Sequence, residues 1–575
     1  MRRFRIKLPR LFLLALPVIM CVVVILGYAA LSALTTTTTT RTVQDTTEPI
    51  QMVQKKYDVH VVTPAAWPRF NAIPTARNTK YIAQEVPGPV EKGLPGRWQH
   101  RRGNVGMTSY KTSIISPTSP ANVTEGEMFR IMIEARDKSN QPRTMGGDFW
   151  YATLATKGGG STSGRVLDHA NGSYSVYFFA GWSGKASIHI TMVHPSEAVD
   201  YLVQTVWNAY DRINWLGRFE DGVNKSTTSC VLRRGGPWTG KCELSHPYAL
   251  GKTVLLCGEP AHGLKCDSLV AVYNNNTRIR ERARELSKGR GDLFQGEYYS
   301  RRLSTKTIEI ANDSRKDQLL KQLPECEPDQ PKPLSSGYWR DSKTWVSLAC
   351  RTKQWKVPRD IGRCLVNKTV YLLGDSTSRQ WYELLSGMLG VPFVRKDNLE
   401  QNNIYRHFDE FNLTTVFKFH PLCLTRNPRP TPFNLFSFEV DVLDALKDKS
   451  CNYVILISPW AHYPQWTKDM FLERVSLLRE ALLRFRARCP NAPVVVKGSH
   501  PRDQPGLEGR IFYNNFMLYQ LGKILRETFQ GTAAWFLDIW DLNMAYPASK
   551  MVHMPEEVVK QELSMFLSYV CRKLQ

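Results

Sequence analysis

The residues best placed to do chemistry lie in Tyr371-Leu372-Leu373-Gly374-Asp375-Ser376-Thr377-Ser378-Arg379-Gln380. A short apolar run enters this segment and Gly374 permits a sharp turn. A helical pattern leaves it, with Trp381, Leu384, Leu385 and Met388 on one face. A serine at such a junction stands near the backbone N–H groups of a helix N-terminus, which can stabilise the oxyanion of a tetrahedral intermediate. Gly-Asp-Ser is common by chance, and either Asp375 or Ser376 would serve as a plain helix cap. Its place between a buried strand and an amphipathic helix favours Ser376 as a nucleophile. A serine hydroxyl then needs a base. Of the downstream histidines His420, His462, His500 and His553, the last lies in Met551-Val552-His553-Met554-Pro555, after the last strand and before the last helix. In a domain of alternating strands and helices that is the sheet edge where Ser376 stands. The pair predicts acyl transfer through an acyl-serine, with His553 as general base.

The elements that must position this pair read as follows. Thr369 to Leu373, Tyr453 to Ser458, Pro493 to Lys497 and Ala533 to Ile539 are short apolar runs. Helical patterns separate them, one with Leu472, Val475, Leu478, Leu482 and Phe485 on a stripe. This alternation predicts a three-layer α/β domain with a parallel sheet over residues 336–575. Further upstream the period changes to two. Phe129, Ile131 and Ile133 alternate with polar residues, as do Tyr174, Val176 and Phe178, and Ile188, Ile190 and Met192. That pattern predicts an antiparallel β-sandwich over residues 110–270, with Cys230, Cys242, Cys257 and Cys266 in a cysteine-rich tail. Residues 271–335, charged and then proline-rich, read as a linker.

Residues 1–10 are a basic tail, and Leu11 to Leu34 is a run of 24 residues without a charge. A helix of that length spans the ~30 Å apolar layer of a membrane, and the arginines before it keep the tail cytoplasmic. The alternative is a cleaved signal peptide, whose apolar region runs only ~7–15 residues. The threonine- and proline-rich residues 35–109 read as a stalk. Either reading of the N-terminus sends the rest of the chain into the secretory pathway, either as a type II membrane protein, with the Golgi the favoured site, or as a secreted one. Of the 12 cysteines, Cys21 falls in the apolar run and leaves an odd number downstream, most of which should pair. The absence of any C-x-x-C pair argues against a zinc site, and no metal is expected. Sequons at Asn122, Asn171, Asn224, Asn275, Asn312, Asn367 and Asn412 fit a lumenal glycoprotein. The net charge of +24 would suggest nucleic acid in a cytosolic protein. With lumenal topology it points instead to an acidic glycan, or to a simply solvated basic surface.

Gly146-Gly147-Asp148-Phe149, Asn171-Gly172-Ser173-Tyr174 and His194-Pro195-Ser196-Glu197 resemble the neurexophilin-type domain. The Gly-Asp-Ser and His553 segments, with Gly337-Tyr338-Trp339, Trp345 to Cys350 and Trp535 to Asp541, resemble the PC-esterase branch of the SGNH/GDSL hydrolases. Together they resemble the neurexophilin and PC-esterase domain family. The resemblance implies an immunoglobulin-like sandwich followed by an SGNH-type domain, Ser/His-based acyl transfer and, for part of the family, O-acetylation of glycans such as sialic acid. No bound cofactor is expected, and acetyl-CoA is the donor if the reaction is a transfer. A glycan or glycoprotein is the acceptor. The alternative is a surface ligand or adhesion glycoprotein, binding a cell-surface receptor through the sandwich, with an inactive esterase domain behind it.

One departure concerns the third catalytic group. The SGNH pattern puts an Asp three residues before the histidine, where this chain has Lys550. Asp541 is the favoured substitute and Asp538 the second. The remaining options are a Ser–His dyad or a weakened enzyme. For the oxyanion and the pocket, the expectations are Gly374, Gly390 (or Gly387) and His462, the last standing where an asparagine is usual. His500 is a further wall of the pocket. Trp460, Tyr463 and Trp466 are read as core residues more readily than as a sugar-stacking surface.

Overall fold

The structure is a computed structural model that describes residues 58–61, 106–118, 121–212, 214–236, 238–313, 315–393, 403–422, 436–548 and 550–575. The expected basic tail, apolar anchor and most of the stalk lie outside these residues. Among the described residues, no helix is long and apolar enough to cross a membrane.

The alternating segments pair as their pattern predicts. Strands β1 (Met128–Glu134), β2 (Phe149–Thr156), β3 (Ser161–Ser163), β4 (Ser173–Phe179) and β5 (Gly184–His194) divide between two sheets. β1 lies antiparallel to β4, while β2 lies antiparallel to both β3 and β5. Because successive side chains point to opposite faces, Phe129, Ile131, Ile133, Tyr174, Val176 and Phe178 of one sheet meet Trp150, Leu154, Ile188 and Ile190 of the other in a dry core.

The cysteine-rich stretch is a sheet, not a tail. Strands β6 (Trp215–Glu220), β7 (Lys225–Arg234), β8 (Lys241–Ser245), β9 (Thr253–Gly258) and β10 (Leu269–Asn274) run antiparallel in the order β8-β9-β7-β6-β10. Disulfides Cys230–Cys257 and Cys242–Cys266 tie it together. The stretch 271–335, expected as a linker, is also largely built. It holds helix α1 (Asn276–Ser287) and strand β11 (Lys306–Ala311), which pairs with β5. Strands β12 (Gly337–Asp341) and β13 (Thr344–Ser347) were expected in the C-terminal domain. They extend the sandwich instead, with Tyr338 opposite Thr162 on β3. Alternation tells which face of a strand is buried, but not which edge it will pair with.

The C-terminal part contains β14 (Thr369–Gly374), α2 (Ser376–Met388), β15 (Asn403–Phe408), β16 (Leu413–Phe419), α3 (Glu439–Ala445), β17 (Tyr453–Ser458) and α4 (Lys468–Arg488). It continues with β18 (Val494–Lys497), α5 (Asn515–Phe529), β19 (Trp535–Leu537), α6 (Trp540–Ala545) and α7 (Glu556–Leu574). The sheet order is β15-β16-β14-β17-β18-β19, parallel except for β15. Both faces are covered, which is why β17 reads as one continuous apolar run. Val454 and Leu456 pack with Trp381 and Phe566, and Ile455 and Ile457 with Val475, Leu482 and Leu521. Strands β15 and β16 were not anticipated from the sequence.

The two halves share a core. Trp215, Phe219, Leu244 and Leu255 of the disulfide-tied sheet belong to the same buried cluster as Phe471 and Val475 of α4. At its margin Glu473 accepts from Arg234 (2.9 Å) and from the Thr253 hydroxyl (3.0 Å). Three further disulfides, Cys326–Cys350, Cys364–Cys571 and Cys451–Cys489, complete the set among the described residues and place this chain in an oxidising compartment. The odd cysteine, Cys423, lies outside them. Cys364–Cys571 closes a separation of 207 residues, so a Cys364→Ser/Cys571→Ser variant should lose about 5 kcal/mol of stability by the chain-entropy argument. Equal urea midpoints for variant and parent would refute that assignment.

Candidate active site

The loop after β14 is built around one buried carboxylate. Asp375 caps α2: its Oδ1 accepts from the Thr377 amide (2.8 Å) and hydroxyl (2.7 Å). Its Oδ2 accepts from the Ala461 amide (3.0 Å), in the loop after β17. Burial pushes this carboxyl upward in pKa, but His462, His420, the Thr377 hydrogen bond and Lys497 outweigh it and hold it below the usual range. The capping expectation and the nucleophile expectation are therefore compatible. Asp375 does the capping, which leaves Ser376 as the first helical residue with its hydroxyl turned elsewhere.

That hydroxyl meets His553. Ser376 Oγ lies 2.8 Å from His553 Nε2, although 177 positions separate the two. Ser376 is half-buried and His553 exposed, so the pair stands open to a substrate. Helix α2 also steadies the histidine loop, since the Gln380 amide donates to the Met554 carbonyl (2.6 Å). Gly374 is required for close approach. A Cβ there would come within 2.7 Å of both the Ser458 carbonyl oxygen and Ser378 Oγ.

The expected third group fares differently. Asp541 accepts the Ser336 hydroxyl, and Asp538 pairs with Lys332 (3.1 Å) and Arg526 (3.6 Å). Among the described residues neither is hydrogen-bonded to His553. Both follow the edge strand β19, where the Ser336 and Lys332 segment runs beside them. Lys550, at the usual acid position, folds back on its own loop. Its ammonium donates to the Tyr546 and Ala548 carbonyls, and burial lowers its pKa to about 8. Its backbone is bonded to Asp503 in both directions.

Gly390 is not an oxyanion residue. It closes the C-terminal end of α2, its amide bonded to Gly387 O, at the far end of a 13-residue helix from Ser376. At 1.5 Å per residue that is roughly 20 Å away. The second loop at this edge is instead the one after β16, where the His420 amide bonds the Gly374 carbonyl (3.0 Å). His462 does stand at this edge, half-buried, with its ring 5.9 Å from that of His420. Burial chiefly, with His420, Arg502 and His553 adding, lowers its pKa to about 3, against the pull of Asp375; it is a neutral imidazole. His500 is buried against Trp460 (4.6 Å between rings) and is likewise held down, to about 4, chiefly by burial. Trp460, Tyr463 and Trp466 are buried to 1% exposure or less, which makes them core and removes them as a sugar platform.

Two polar groupings beneath the site had no clear sequence signal. Lys497, at the end of β18, reaches Thr377 Oγ1 (3.3 Å) and Glu562 (3.7 Å). Glu562 also accepts from the Trp381 indole and from Asn543, both at 2.7 Å. His420 Nδ1 lies 3.1 Å from Glu439, which pairs with the buried Arg474 (3.2 Å). Of the sequon asparagines, Asn122, Asn171, Asn224, Asn312, Asn367 and Asn412 are exposed, and Asn275 is half-buried as the cap of α1. Asn412 donates to Asn367 (3.0 Å).

A serine–histidine pair at the carboxyl edge of a parallel sheet, fused to a sandwich and a disulfide-tied sheet, defines a two-part class of protein. Residues 118–283 match the neurexophilin family, and residues 345–571 match the family described as NXPE family member 4-like, C-terminal domain. The chain belongs to the NXPE family, the neurexophilin and PC-esterase domain proteins.

Gly374→Ala should cost about 1–3 kcal/mol through overpacking against the Ser458 carbonyl; a melting temperature equal to the parent's would contradict this. Glu439 provides a pH test. Burial raises its pKa, but Arg474 and His420 outweigh that and hold it at about 2, below its ordinary 4.5. A depressed carboxyl stabilises above its unfolded pKa, and that stability is lost as pH falls through the folded value. Urea unfolding should therefore find Glu439→Gln less stable by on the order of 3 kcal/mol at pH 7. The gap should narrow between pH 5 and pH 2, and a pH-independent gap would count against the ion pair.

Proposed function

We propose that this chain is a lumenal acyl-transfer enzyme acting on glycans, with an acetyl group moved through Ser376. The observation that carries this reading is the 2.8 Å approach of His553 Nε2 to Ser376 Oγ at a helix N-terminus. Ser376 Oγ attacks the acyl carbonyl while His553 takes its proton. The tetrahedral oxyanion collapses, the leaving group departs with that proton, and an acyl ester remains on Ser376. His553 then deprotonates the acceptor hydroxyl, which attacks the ester and restores the serine. A sugar hydroxyl as acceptor makes the enzyme a transferase, with acetyl-CoA as donor, and water makes it an esterase. An acidic acceptor such as a sialylated glycan suits the +24 charge. Family membership supports an immunoglobulin-like sandwich and an SGNH-type catalytic domain. Leu11 to Leu34 would anchor the protein as a type II membrane protein, with the Golgi the favoured compartment.

A second reading, a surface glycoprotein with an inactive esterase domain, draws on the engagement of Asp541 by Ser336 and of Asp538 by Lys332. Loss of an orienting carboxylate costs ~10⁴-fold in the serine protease case. Expression of the full chain, followed by mass spectrometry of cell glycans, separates the two. Ser376→Ala and His553→Ala should each remove the change in O-acetylation caused by the parent, the double variant doing no more than either single one. Neither should shift stability by more than about 1 kcal/mol, since the pair is partly exposed. Unchanged acetylation with Ser376→Ala would favour the second reading.

A further inference from the structure

We infer that Arg212 is a positioning residue for the Ser376–His553 site, so that the neurexophilin-matching region is a working part of the active site; this rests on the acyl-transfer reading above. Arg212 lies in the region matching neurexophilin and is completely buried, at 0% exposure. Its Nη1 donates to the Val206 carbonyl (2.7 Å) on its own side. The rest of the guanidinium crosses to the other half. Nε donates to the Gln465 carbonyl (3.0 Å), and Nη2 to the carbonyls of Pro464 and Trp466. Among the described residues, its hydrogen-bond partners are all carbonyls. A buried cation without a carboxylate partner is costly, and burial accordingly lowers the Arg212 pKa to about 9. What the arrangement provides is fixation. Three consecutive carbonyls at the end of the short turn Tyr463–Gln465 converge on one planar fork.

That turn follows His462 directly, in the loop that leaves β17 at the active edge. Upstream, the same loop is tied by its Ala461 amide to Asp375, the neighbour of Ser376. On its other side Arg474 lies over the rings of Tyr463 (4.9 Å) and Trp466 (5.1 Å). The loop carrying His462 is thus held at one end by the carboxylate that sets the serine turn. At the other it is held by an arginine from the other half of the molecule. Lysine, a point donor, cannot reproduce the fork.

The test uses the full-length chain with Arg212→Lys and, as a second variant, Arg212→Gln. Two readouts are needed: the rate at which a fluorophosphonate labels Ser376 across pH, and hydrogen–deuterium exchange over residues 459–466. The expected result for Arg212→Lys is faster exchange confined to those residues and labelling slowed by about 10- to 100-fold. The pH midpoint of labelling should not move. Unchanged exchange over 459–466 overturns the inference, as does faster exchange with labelling at the parent rate. Failure of both variants to fold would make Arg212 a residue of the fold and overturn the positioning role. If the parent itself is never labelled, the acyl-transfer reading fails first, and exchange alone then decides whether the arginine holds this loop.

Discussion

Asp375 keeps its carboxylate out of water by accepting from the Thr377 amide, the Thr377 hydroxyl and the Ala461 amide, and the placing of Ser376 follows from those bonds. The first two begin helix α2 at Ser376. The third ties that helix start to the loop after the neighbouring strand β17. A carboxylate accepting several N–H and O–H bonds stays ionised despite burial, and a buried charge tolerates little displacement of its donors. Gly374 completes the constraint by letting the turn press against Ser458. The hydroxyl that remains faces His553.

Around that turn the charges are layered. Lys497 and Glu562 lie beneath α2, paired with each other, Lys497 also bonded to Thr377 and Glu562 accepting from Trp381 and Asn543. Glu439 and Arg474 lie behind His420. Each grouping pairs opposite charges in a dry interior, where removing one partner strands the other. His462 and His500 are neutral there because burial disfavours their charged forms. His553, by contrast, is exposed, in a loop open to solvent.

The halves of the molecule are less separable than their family matches suggest. The disulfide-tied sheet shares its core with helix α4. Strands β12 and β13, close to the start of the C-terminal match, are hydrogen-bonded into the sandwich. The alternating pattern of β1, β4 and β5 and the apolar run of β17 were legible because each records its own burial. Residues 271–335 were not, since their charged and proline-rich composition hides a strand and a helix that are stable only against neighbours. Strand β16 was missed as well, and with it the loop carrying His420.

Taken alone, the sequence determined the local chemistry of the site: a strand, a glycine turn, a helix start with Asp375 or Ser376 as its cap and Ser376 as the candidate nucleophile, and a histidine in the last loop. These are short-range facts, set by backbone sterics, capping preference and hydrophobic period, and a linear text carries them. Only the tertiary structure decided which distant groups became partners. It gave Asp541 to Ser336, put Gly390 at the far end of α2, and sent Arg212 across the domain seam to the loop beside His462. Such pairings depend on which surfaces share a core and on where buried donors find acceptors, and no local pattern in the chain encodes that.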